Sequence, residues 1–91
     1  MNVKLSPGLL KKLKKSDVRI RKSFKERILV FSKNPQDLEL DNHSLKREWK
    51  GYRSIDITSD LRAIYQEIQI GGETVAYFVA LGTHNELYRK P

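Results

Sequence analysis

Ile20, Phe24, Ile28 and Phe31 recur at the 3.6-residue period of a helix that buries one face. Lys22, Lys25, Arg27 and Lys33 fall largely off that stripe, and Val30 adds little to it. Asp17 is placed to cap this helix. Asn34-Pro35 is placed to end it, because the residue before proline is pushed out of the helical region. Upstream, Val3 and Leu5 flank Lys4 in what reads as a short strand. Ser6-Pro7 has the form of a helix start, with serine as cap and proline where its missing N–H costs nothing. Gly8 to Lys15 then predicts a short helix with Leu9, Leu10 and Leu13 on one side. Two helices this close in sequence predict an antiparallel helical hairpin.

Downstream the period changes to two. Ser54 to Thr58 alternates polar and apolar, the pattern of a strand with one buried face. Thr58-Ser59-Asp60 predicts a tight turn, and Leu61 to Ile68 a second strand. Gly71-Gly72 closes another hairpin. Thr74 to Leu81 is apolar on both faces, as expected of a strand with neighbours on both sides. Gly82-Thr83-His84 breaks it, and Asn85 to Lys90 reads as a short tail or a single helical turn. Gln36 to Leu45, with Asp37, Glu39 and Asp41, reads as an acidic loop that delivers His43 to the sheet. The order is a short strand, a helical hairpin, then three antiparallel strands. This predicts one α+β domain over residues 1–91, with helices on one face of the sheet and polar strand residues on the open face. Phe24, Phe31, Tyr65 and Phe78 are the predicted core aromatics.

A chain of 91 residues can bury one core and not two. It has no cysteine, which excludes disulfides and thiolate metal sites. No apolar run has signal-peptide or membrane-span length, so a cytoplasmic protein with no membrane contact is expected. The net charge of +7 is unevenly placed. Residues 1–33 hold eleven Lys or Arg against Asp17 and Glu26, and the remainder holds seven against nine acidic residues. A basic first third joined to a slightly acidic remainder suggests a polyanionic partner; a solvated basic helix face is the plainer alternative.

Within the predicted first hairpin, Lys50, Arg53, Asp56, Asp60 and Arg62 crowd a short stretch. His43 and His84 bracket it. If both histidines reach the open face, they suit RNA cleavage without a metal: one imidazole takes a proton from the 2′-hydroxyl and an imidazolium protonates the leaving oxygen. Lys50, Arg53 and Arg62 would meet the charge on the phosphorane. Histidines so far apart in sequence carry little by spacing alone, and two surface histidines are the ordinary reading. A metal held by both histidines with Asp56 and Asp60 is disfavoured by the cationic neighbours and the absence of a compact ligand motif. Asp60 as a plain turn residue needs no function. Trp49 and Tyr52 suit stacking on unpaired bases and equally suit a packing role. Gly51 lacks the glycine partners of a phosphate loop.

The blocks H-S-L-K-R-E-W-K-G-Y-R-S-I-D-I, D-L-R-A-I-Y and L-G-T-H-N-E-L-Y resemble the toxins of the RelE/ParE superfamily, nearest the YafQ branch. The resemblance implies a RelE-like fold and a type II toxin that cleaves translated mRNA on the ribosome without a metal or other cofactor. It also implies a cognate antitoxin that holds the toxin inactive in a heterotetramer or larger complex. By residue, it implies a catalytic set of His43, Asp60, His84 and Tyr88. His43 and His84 would share the roles of base and acid in either order, here read as His43 the base and His84 the acid, with Asp60 the orienting group and Tyr88 a supporting aromatic. Lys46, Lys50, Arg53, Asp56 and Arg62 would form the RNA- and phosphate-binding set. Three positions depart from the branch. Asp56 stands where it has a second histidine, Leu61 where it has tryptophan, and Arg47 where it has glycine. These departures keep two alternatives open: a non-nuclease toxin of the same superfamily that inhibits DNA gyrase, and a catalytically weakened RNA-binding relative.

Overall fold

The computed structural model of the protein describes residues 1–88. β1 (Asn2–Leu5) leads into α1 (Pro7–Lys15) and α2 (Val18–Lys33). β2 (His43–Ser44), β3 (Arg53–Asp56), β4 (Leu61–Ile70), β5 (Glu73–Thr83) and α3 (His84–Tyr88) follow. The caps fall where the sequence puts them. Ser6 Oγ accepts the Leu9 N–H at 3.1 Å, and Asp17 Oδ1 accepts the Ile20 N–H at 2.9 Å. Gly71 and Gly72 take φ of 56° and 81°, the left-handed pair that a two-residue hairpin needs to match strand twist. Thr58 Oγ1 accepts the N–H groups of Asp60 and Leu61, which fixes the β3–β4 turn.

The sheet has five strands in the order β1-β5-β4-β3-β2. The α+β class with helices on one face holds, and two edges of the sequence reading change. β1 joins the sheet parallel to β5, with Leu5 opposite Phe78. His43–Ser44 is not loop but a fifth strand, antiparallel to β3. Only two residues long, it lies below what a period-two pattern can reveal. β5 also runs past its predicted end to Thr83, because Gly82 still pairs opposite Arg62. α3 occupies the predicted tail, whose Arg89 and Lys90 lie outside the described residues.

Phe31 is the hub of the core. Its ring meets Tyr65 edge-on at 4.9 Å and Phe78 at 5.3 Å, and Phe24 reaches Phe78 at 6.4 Å. Leu9, Leu13, Ile55, Ile57, Ala63, Ala76 and Leu81 complete the buried cluster. Leu10, read as part of the apolar side of α1, is 45 % exposed, whereas Val30 packs on the core edge. A bulge lets β5 serve this core. Ile64 pairs with Ala80 but Tyr65 with Phe78, so Val79 is the extra residue and both Phe78 and Leu81 turn inward. Among the described residues, no helix is long and apolar enough to cross a membrane.

Candidate active site

Strand parity decides which charges reach the open face. Ile55 and Ile57 are buried under the helices, so Ser54 and Asp56 face the other way. Ser54 pairs with His43 on one side and Ile64 on the other, and Asp56 pairs with Arg62. Arg62 Nε lies 3.0 Å from Asp56 Oδ1. The contact has ion-pair distance without hydrogen-bond alignment, since Oδ1 has no directed donor. Burial pushes the Asp56 carboxyl above its ordinary value, and the Arg62 charge offsets only part of that. Asp56, read as an RNA-binding residue, is thus a partner of Arg62, and an anion repels phosphate rather than binding it.

His43 is presented by a braced loop. Leu40 is fully buried under it, and Asp41 takes the left-handed conformation, φ 47°. The Asp41 carbonyl lies 2.8 Å from His43 Nδ1. A carbonyl only accepts, so Nδ1 carries the proton, and Nε2 of the neutral ring has a free lone pair. Asn42 bolts the loop to the core side: its amide donates to Pro35 O and Tyr65 Oη, both at 2.8 Å, and its oxygen accepts Arg53 Nε at 2.8 Å.

His84 opens α3, and the start of that helix is fixed by a reciprocal cap. The Thr83 N–H donates to Glu86 Oε1 at 2.8 Å, and the Glu86 N–H donates to Thr83 Oγ1 at 3.2 Å. Those bonds hold the Glu86 carboxyl below its ordinary value, assisted by Lys12. Gly82 leaves room for the folded-back side chain, since a Cβ there would lie 3.2 Å from Glu86 Cβ. At the other end, Trp49 Nε1 donates to the Leu87 carbonyl at 2.9 Å. Trp49 therefore ties the W-K-G-Y-R block to the G-T-H block, and its ring also meets Tyr52 edge-on at 5.3 Å. Along α3, the His84 and Tyr88 rings pack at 4.6 Å. The T-x-x-E spacing was legible as a capping signal; the Asp41 carbonyl and the Trp49 bond have no signature in sequence.

These elements converge on two adjoining clefts. One, of about 370 Å³, is lined by His43, Lys46, Arg62, His84 and Tyr88. The other, of about 360 Å³, is lined by Asp60, Arg62, Thr83 and His84. Arg62 and His84 form the wall between them. Lys50 lines neither cleft. Arg53 is not brought there either. It shares parity with Ile55, and its guanidinium is bonded to Asn42 on the helix-covered side. Among the described residues, no three His, Asp or Glu side chains converge to hold a metal ion. The arrangement offers a proton acceptor, a second imidazole and two cations around one space, a set suited to moving protons at a phosphodiester.

A family model described as "Bacterial toxin of type II toxin-antitoxin system, YafQ" matches residues 9–89. Solved structures share the fold. YafQ from E. coli strain BL21(DE3) superposes with a TM-score of 0.75 at 23% identity, covering 96% of this chain and 97% of that one. A YoeB/ParE toxin from Agrobacterium tumefaciens gives 0.73 at 20% identity over 92% and 99% of the two chains. A chain of the E. coli DinJ-YafQ complex gives 0.65 at 24% identity over 96% and 97%. Among curated proteins, none matches the sequence significantly.

Proposed function

The chain belongs to the YafQ family of toxins of bacterial type II toxin-antitoxin systems, and we propose that it is a ribosome-dependent endoribonuclease that cleaves translated mRNA by metal-independent acid–base chemistry. The observation that carries this reading is the convergence of His43, Lys46, Arg62, His84 and Tyr88 on one cleft. His43 is the base: with Nδ1–H held by the Asp41 carbonyl, Nε2 takes the proton of the 2′-hydroxyl. The 2′-oxygen attacks phosphorus, and the bond to the 5′-oxygen breaks. The His84 imidazolium protonates that leaving oxygen, giving a 2′,3′-cyclic phosphate and a 5′-hydroxyl end. Arg62 and Lys46 face the charge that builds on the phosphorane. Asp60, in the adjoining cleft with His84, is the orienting group, and Tyr88 supports the His84 ring.

The basic helices give the toxin a salt-dependent hold on ribosomal RNA in the cytoplasm. E. coli YafQ is seen in complex with DinJ, and by the same logic a cognate antitoxin holds this chain in a heterotetramer or larger assembly. Purified toxin added to ribosomes translating a defined mRNA tests the reading. Primer extension should show discrete cuts, and end analysis of the upstream fragments should show a cyclic or 3′-phosphate. Intact transcripts, together with loss of gyrase supercoiling, would instead support the gyrase-inhibiting alternative.

A further inference from the structure

Ser44 lies on the rim of the His43 cleft and also lines a third cleft, of about 300 Å³, with Gly51, Tyr52, Arg53 and Glu67. The third cleft is on the side of the sheet that carries Arg53, so the two-residue strand β2 is the ridge between them. We propose that this third cleft is a guanine-reading subsite for the RNA strand whose scissile phosphate lies between His43 and His84. The proposal rests on the ribonuclease reading above for its biological setting.

The chemistry of the lining selects a base over a phosphate. A carboxylate at Glu67 repels a phosphate, whereas a carboxylate and a guanidinium together match a group with both donors and acceptors. Guanine carries two adjacent donors, N1–H and N2–H, on one edge and two adjacent acceptors, O6 and N7, on another. The paired oxygens of Glu67 fit the first and the planar fork of Arg53 the second. Both side chains are placed to serve. Arg53 is anchored through Nε to Asn42 Oδ1, and neither Arg53 nor Glu67 forms an ion pair among the described residues. Tyr52 supplies an aromatic ring already fixed edge-on against Trp49, so stacking a base on it costs little side-chain freedom. Gly51, at φ 93°, adds no side chain to that wall. Because β2 is so short, a strand that turns over the sheet edge at Ser44 reaches both clefts.

The test is nuclear magnetic resonance on the full chain carrying His84→Ala, titrated with the 5′-monophosphates of guanosine, adenosine, cytidine and uridine. Guanosine monophosphate should shift the amides of Ser44, Gly51, Tyr52 and Glu67 and bind about tenfold more tightly than the adenosine analogue. Glu67→Ala, in a protein whose spectrum remains dispersed, should erase that preference. Equal binding of all four nucleotides, shifts confined to the His43 cleft, or a preference that survives Glu67→Ala would overturn the subsite. Binding is read here without cleavage, so the two readings separate. Guanine recognition in a protein that leaves translated mRNA intact would keep the subsite and sink the ribonuclease. Cleavage without guanine recognition would do the reverse.

Discussion

Arg53 and Arg62 lie on neighbouring strands, and they face opposite sides of the sheet. Arg53 joins the helix-covered side, where Asn42 ties it to the Tyr65 hydroxyl and the Pro35 carbonyl. Arg62 joins the open side, where it meets Asp56 without an aligned hydrogen bond and lines both histidine clefts. The contrast extends to the whole sheet. On the covered side, apolar packing and a closed polar network leave little to bind. On the open side, Ser54 Oγ and Asp56 Oδ1 are buried with no hydrogen-bond partner among the described residues. Buried polar groups normally find partners. Here Asp56 Oδ1 keeps only its unaligned contact with Arg62 and Ser54 Oγ has none, so this side is less fully satisfied than the covered one. The covered side opens beside Tyr52 and Glu67, and the guanine subsite is proposed there.

The sharpest way to test the contrast is to damage each side separately. Phe31→Ala removes the hub of the covered side and should cost about 3–5 kcal/mol, enough to abolish cooperative unfolding or shift it to far lower urea. His84→Ala, on the open side, should leave that urea midpoint nearly unchanged. It should lower the cleavage rate by about 10²–10⁴-fold, measured by primer extension on translated mRNA. Equal damage to stability from both would erase the division.

Trp49→Phe probes the tie between the two motif blocks. Loss of the bond to the Leu87 carbonyl should cost about 1 kcal/mol in thermal unfolding. Cleavage should also fall as α3 loosens, although His84 is intact.

The smallest effect belongs to Asp56. Burial raises its carboxyl above the ordinary 3.8. From that value up to the raised one, the folded chain binds more protons than the unfolded chain. Asp56 therefore makes stability fall as pH rises through that window. Asp56→Asn should flatten the fall and leave the protein more stable at neutral pH by less than about 0.5 kcal/mol. The difference between the two stability–pH curves reads it. A steeper fall in the variant would mean the Arg62 charge outweighs burial.

Much of the architecture was legible. The stripe from Ile20 to Phe31, the caps at Ser6 and Asp17 and the Gly71-Gly72 turn are local patterns whose physics acts within a few residues, and each appears where expected. Thr83-x-x-Glu86 was equally local and would have yielded the start of α3. The edge strand His43–Ser44 was not legible, since two residues hold no period. The bulge at Val79 was hidden because a strand apolar on both faces gives no phase to break.

The candidate site divides the same way. The sequence by itself determined which side chains were available, where the first two helices start and stop, and that the first third is strongly basic. Only the tertiary structure decided which of them meet. Pairing of β3 with β4 set the parity that sends Arg62 to the histidines and Arg53 away from them. The Asp41 carbonyl chose the tautomer of His43, and a tryptophan in one motif held the helix carrying the other. Those outcomes depend on strand register and long-range hydrogen bonds, which join residues far apart in the chain and leave no trace in its local pattern.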